Sequence, residues 1–169
     1  MSTKKLTLLA LFTTISLAIY AIESAIPPLV PIPGIKLGLA NIITLLLLQH
    51  FSAKEAALVL IARILLSTLL FGQAMSMMYS FAGGLLSLVL MALILKLLQK
   101  EKTYLAGAIG GLAHNLGQLC IAFLITSTGG VLAYLPFLVL SGILTGLFTG
   151  LCAGFMGRYL KKILGFSKK

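Results

Sequence analysis

The chain has 169 residues, 60% of them hydrophobic and only 9% charged, with a formal net charge of +10. No soluble domain of this size covers so much apolar surface with so few charges, so lipid is the solvent the composition requires. The positive balance does not point to nucleic acid, because Lys4, Lys5, Lys54, Lys96, Lys100, Lys102, Arg158, Lys161, Lys162, Lys168 and Lys169 all lie at the ends or between apolar runs. Cytoplasmic loops facing anionic lipid carry their charge in this way. Backbone groups in hydrocarbon must pair within their own segment or in a closed barrel. Long uninterrupted apolar runs favour helices, so the expected class is an all-α membrane protein, one integral membrane domain over residues 1–169.

In chain order, six transmembrane helices are predicted, over residues 6–26, 35–50, 55–72, 74–97, 104–127 and 131–160. The first lacks an A-x-A cleavage signal and is too long for a signal-peptide core, so it reads as a retained helix. Its Thr13, Ser16, Tyr20, Glu23 and Ser24 recur at three- and four-residue steps as a polar stripe. Thr14, Ala18, Ala21 and Ala25 make a smooth face on the opposite side. Pro27, Pro28, Pro31 and Pro33 follow, and such a cluster cannot lie inside a helix. The second span is short, about 24 Å by helix rise, so it either fails to span alone or is capped by the proline loop. The sixth is longer than a bilayer needs and should bend or project. Its Gly142, Gly146, Gly150 and Gly154 fall at strict four-residue spacing, which signals close helix packing, either inside the monomer or with another subunit.

The basic residues also set an orientation. Both termini, the turn from His50 to Lys54 and the loop from Lys96 to Lys102 are expected on the cytoplasmic side. The loops near Gly72 to Ala74 and Ser127 to Gly130 carry no charge, and the proline loop carries only Lys36. Those three are expected outside.

Few residues could carry chemistry. The acids are Glu23, Glu55 and Glu101, and Asp is absent. The chain alone therefore lacks the Asp-rich clusters with which prenyl synthases hold magnesium diphosphate. It also lacks a G-x-x-x-x-G-K-[ST] loop for ATP hydrolysis. A Ser-His-Asp set is impossible, and two histidines without neighbouring acids or thiols make a poor metal site. Cys120 and Cys152 lie in apolar runs and suggest neither a disulfide nor a metal site. No catalytic residue, metal or cofactor is expected. The candidates are polar residues in or beside the spans, where ionisable groups face a bundle interior or a cavity. Glu23, Lys36, Asn41, Arg63, Tyr79, His114, Asn115 and Gln118 are expected to line a substrate site, with Arg63 or Lys36 attracting an anionic or strongly polar group. Arg63 has an alternative as a structural partner of Glu23 or of helix carbonyls. His114 and Gln118, on one face, have an alternative as an interhelical hydrogen-bond clamp. Glu23 has one as a proton-coupling acid.

The run Glu23-Ser24 … Pro31-Ile32-Pro33-Gly34-Ile35-Lys36-Leu37-Gly38-Leu39-Ala40-Asn41, with His114-Asn115-Leu116-Gly117-Gln118 after it, resembles the small bacterial Gx transporter family. That family often carries the label heptaprenyl diphosphate synthase component I, and is similar in turn to the S components of energy-coupling factor (ECF) importers. The resemblance covers nearly the whole chain. It implies an S-component-like bundle with both termini cytoplasmic and an extracellular-side substrate cavity capped by the loop after the first helix. It also implies docking on an ECF module of one transmembrane T subunit and two ATPases. By the same resemblance Ala18, Ala21 and Ala25 correspond to the patch that contacts the T subunit, and the glycines of the last span are a further candidate docking face. The function implied is capture of a small molecule at the bacterial plasma membrane by a multi-pass subunit that makes or breaks no bond. Two rivals stay open. One is a non-catalytic membrane subunit of isoprenoid or menaquinone metabolism or of quinone-linked electron transfer. The other is a small proton-coupled transporter using Glu23.

Overall fold

A computed structural model describes residues 2–27, 35–71, 74–98 and 102–164, and the regular elements among them are all helical. Ser2 opens helix α1 (Thr3–Ser24) by accepting the Lys5 backbone N–H on its side-chain oxygen, a standard N-cap. Leu9, Phe12, Ser16, Tyr20 and Glu23 form its buried face, so the polar stripe turns inward. The segment 35–40 is not helical, and α2 begins only at Asn41 and ends at His50. Helix α3 runs Ala53–Phe71, α4 Ala74–Leu97 and α5 Thr103–Thr126. A 3-10 helix (Gly129–Tyr134) then leads directly into α6 (Leu135–Leu164). The prolines from Pro28 to Pro33, Gly72, Lys100, Glu101 and the C-terminal lysines Lys168 and Lys169 lie outside the described residues.

Helix α2 is the hub. Asn41 through Leu48 are all buried, and α2 packs against each of the other five helices. Around it the neighbours run α1, α3, α4, α5, α6, while α1 and α6 do not approach each other closely. Its 10 residues span about 15 Å, half of a hydrocarbon core of about 30 Å. The expected second membrane span is thus corrected. The described residues form six α-helices, but the second is a short one packed against the other five. Ile35, Leu37 and Leu39 are apolar because the segment is packed inside the bundle, not because it is helical.

Around this hub, α1, α4, α5 and the run from Gly129 to Ile163 are long and apolar enough to cross a membrane. Leu69, Leu70, Leu124, Leu140 and Leu144 are among many large apolar side chains left exposed. A continuous apolar exterior of this kind requires lipid around it. The chain is a helical, multi-pass membrane protein.

Helix α5 is pressed between α4 and α6 by glycine. A Cβ on Gly111 would stand 2.2 Å from the Gly142 carbonyl oxygen, and one on Gly107 would stand 2.3 Å from that of Gly146. On the other side, a Cβ on Gly117 would stand 2.7 Å from the Ala82 carbonyl oxygen of α4. Such approaches exclude any side chain and give the backbone-to-backbone contact that holds helices together in lipid. Gly142, Gly146 and Gly150 are therefore covered by α5 within the chain. The alternative of packing inside the monomer takes these three from the proposed docking face, while Gly154 is only half-buried, beside Thr103. At the far end of the bundle, Lys5 pairs with Glu55, and the Glu55 carboxylate accepts the Ser52 N–H at 2.8 Å. This Ser-x-x-Glu arrangement caps α3 and ties it to α1.

Candidate functional site

Irregular backbone at membrane depth is tolerated only where protein satisfies its polar groups. The segment 35–40 meets that requirement through residues of α1 and α5. The Gly38 N–H donates to Glu23 Oε1 at 2.6 Å and the Leu39 N–H to Glu23 Oε2 at 3.1 Å. The Lys36 N–H donates to Gln118 Oε1 at 3.0 Å. Ala40, the N-cap of α2, has no side-chain oxygen to accept a helix N–H, and the Glu23 carboxylate, held by the N–H groups just before it, supplies the negative group that a helix N-terminus favours. Gly38 has φ +82, and a Cβ there would stand 2.8 Å from His114 Cδ2. Only glycine fits that turn without strain.

The α5 stripe extends this chain of contacts. Gln118 Nε2 lies 2.5 Å from His114 Nε2. Because the amide oxygen of Gln118 already accepts from Lys36, its nitrogen is the donor, and this assigns the proton of the neutral imidazole to Nδ1. Nδ1 sits beside the Gly83 backbone of α4. The predicted clamp therefore exists in a modified form. The His114–Gln118 bond lies within α5, and its interhelical reach goes to the segment that precedes α2.

Tyr20 gathers the cations. The Lys36 ammonium lies 3.4 Å from the centroid of its ring and also donates to the Ser24 hydroxyl. The Arg63 guanidinium lies 5.4 Å from the same centroid. The Tyr20 hydroxyl shares a 2.9 Å hydrogen bond with Ser76 of α4. Arg63 is 3% exposed, yet among the described residues no carboxylate lies within 4.0 Å of it. The structural pair with Glu23 is therefore not a contact, although the two groups act on each other electrostatically. A cation over an aromatic ring gains about 0.5–2 kcal/mol, whereas burying an ion costs several kcal/mol. The ring alone does not offset the burial of Arg63.

Unpaired polar atoms mark where the cluster is incomplete. Asn41 is 2% exposed, and neither its Oδ1 nor its Nδ2 has a partner. Arg63 Nε is likewise buried without one. Asn41 lies against Gly38 next to the His114 ring, and Arg63 acts electrostatically on that same histidine. An unmade buried hydrogen bond costs about 1–3 kcal/mol per group. His114 Nδ1 is buried without a partner as well, and three neighbouring side chains left in that condition describe a place built for something else.

The structure brings Glu23, Lys36, Asn41, Arg63, His114 and Gln118 together between α1, α2, α3 and α5. It separates Tyr79 and Asn115 from them. Tyr79 packs in an apolar cluster with Ile35, Leu119 and Leu138, and the Asn115 amide donates to the Leu138 carbonyl at 2.8 Å and to Ser141 at 3.2 Å. Asn115 ties α5 to α6 instead of lining the cluster. The sequence list lacked Tyr20 and Gly38. Tyr20 stood in the polar stripe of α1 and was readable from it, whereas nothing in the periodicity singles out Gly38. On the outer side of α1, Thr14, Ala18 and Ala25 are exposed and Ala21 is half-buried. Among the described residues no three His, Cys, Asp or Glu side chains come together to hold a metal.

No curated protein and no solved structure matches the chain. The profile of the family described as heptaprenyl diphosphate synthase component I matches residues 12–156, from the middle of α1 to the last third of α6. The chain belongs to that family.

Proposed function

We propose that the chain is a substrate-binding membrane subunit of the S-component kind, which captures a small molecule in the polar cluster and relies on partner proteins for ATP. The observation that carries this reading is the Asn41–Arg63 pair. Both side chains are buried and incompletely hydrogen-bonded, as is His114 Nδ1 beside them, whereas Glu23 and Gln118 hold the backbone of 35–40 in place. Both Glu23 oxygens accept backbone N–H groups, so a structural duty accounts for it without proton coupling.

The family description gives a second reading, an accessory subunit of heptaprenyl diphosphate synthesis. Among the described residues the acids are Glu23, near the end of α1, and Glu55 of α3, paired with Lys5 at the start of α1, and each is already engaged, so on this reading diphosphate chemistry falls to a partner's residues. The two readings separate in one experiment. The full chain is purified in mild detergent and denatured, and the released material is analysed by mass spectrometry. The capture reading expects one water-soluble small molecule in near-stoichiometric amount. Release of detergent and bulk lipid alone contradicts it.

A further inference from the structure

The unpaired atoms also say what kind of molecule fits, and this inference rests on the capture reading above. Arg63 Nε, Asn41 Nδ2 and the protonated His114 Nδ1 are donors without acceptors, and Asn41 Oδ1 is an acceptor without a donor. The charges around them are unequal. Arg63 and Lys36 both lie on Tyr20, while the single nearby acid among the described residues, Glu23, has both oxygens occupied by the Gly38 and Leu39 N–H groups. An anion restores the balance that two cations and one carboxylate leave open. Asn41 adds a second requirement, because its amide offers a donor and an acceptor from one planar group. A bare anion satisfies the donor and leaves Oδ1 unmade.

We infer that the cluster takes a small anion bearing a hydrogen-bond donor beside its charged group. Arg63 and the Asn41 amide N–H bind the anionic oxygens, and Asn41 Oδ1 accepts from the adjacent hydroxyl or N–H. Hydroxy- and amino-carboxylates have this pattern among soluble molecules. Phosphatidylglycerol has the same pattern in its headgroup, a phosphodiester anion with hydroxyls close by.

Three probes of nearly equal size separate the two requirements: glycolate has the charge and the donor, acetate lacks the donor, and glycolamide lacks the charge. The readout is the melting temperature of the full chain, freed of endogenous ligand, in phosphatidylcholine nanodiscs at fixed ionic strength. Glycolate should stabilise at lower concentration than acetate, and glycolamide should not stabilise. Arg63→Gln should raise the glycolate concentration needed by at least about tenfold, as expected for a lost hydrogen bond to a charged group. Arg63→Lys, which keeps the charge, should respond in between and guards against misfolding of the glutamine variant. Asn41→Ala should make glycolate and acetate equivalent. Stabilisation by phosphatidylglycerol nanodiscs that disappears in Arg63→Gln identifies a lipid headgroup as the source. A response to glycolate in phosphatidylcholine identifies a soluble one. Equal responses to all three probes, or responses that Arg63→Gln leaves unchanged, overturn the inference. A neutral or cationic molecule released from the purified chain also overturns it, while leaving the capture reading intact.

Discussion

At the scale of single residues, the chain spends its few membrane-embedded polar groups on two tasks. Glu23 and Gln118 hold the backbone of 35–40, and Asn41 and Arg63 are left with unused hydrogen-bonding groups. Replacing Glu23 by Gln keeps the shape but turns one acceptor oxygen into a donor facing an N–H. That variant should lose about 1–3 kcal/mol, seen as a lower melting temperature in detergent, and an unchanged melt would mean the two bonds are unimportant. Gly38→Ala places a Cβ 2.8 Å from His114 Cδ2 at φ +82. The left-handed conformation alone costs roughly 1–2 kcal/mol, so a larger loss than this is expected once the clash is added. The site was partly legible at this scale, since an ionisable or amide side chain in an apolar run always needs a reason. Which of the two tasks each one performs was not legible. Glu23 and Arg63 look alike in sequence, and the partners of Glu23 are backbone groups fifteen and sixteen residues away.

At the scale of elements, hydrophobic periodicity located the helices well where lipid surrounds them and poorly where protein does. The spans predicted at 74–97 and 104–127 coincide with α4 and α5 to within a residue at each end. The span predicted at 35–50 contains a 10-residue helix preceded by irregular, turning chain, because enclosure in protein makes both conformations equally apolar. Glycine spacing gave the close packing but not the partner, which is the neighbouring α5. Gly146→Ala would put a methyl group 2.4 Å from the Gly107 oxygen and should cost at least about 2 kcal/mol. Gly129→Ala meets nothing within 4 Å and should stay within about 0.5 kcal/mol of the parent. Parity between the two in thermal melts would remove the case for a close α5–α6 contact. Among the described residues the outer face of α1 has no such intramolecular partner. If it docks on a T subunit, Ala21→Leu should abolish co-purification with the ECF module while leaving the melt unchanged. Undiminished association would point to another face.

At the scale of the molecule, the described residues form five apolar helices packed around a short one and open between α1 and α6, and hydrogen bonds hold the chain that leads into it. The position of the basic residues predicts which side that lead-in chain faces. Single cysteines at Ser2 and Lys102, in a background without Cys120 and Cys152, should resist impermeant thiol reagents in intact cells, and one at Thr128 should react. Labelling at Lys102 from outside would reverse the orientation. Arg63 is the residue on which capture depends most directly, and one paired measurement tests it: retention of the co-purifying small molecule and melting temperature, both determined for Arg63→Gln. The expected result is loss of the retained molecule with a ligand-free melt close to that of the parent. A collapsed melt, with the molecule still held by whatever chain remains folded, would make Arg63 a structural residue and place the binding site elsewhere.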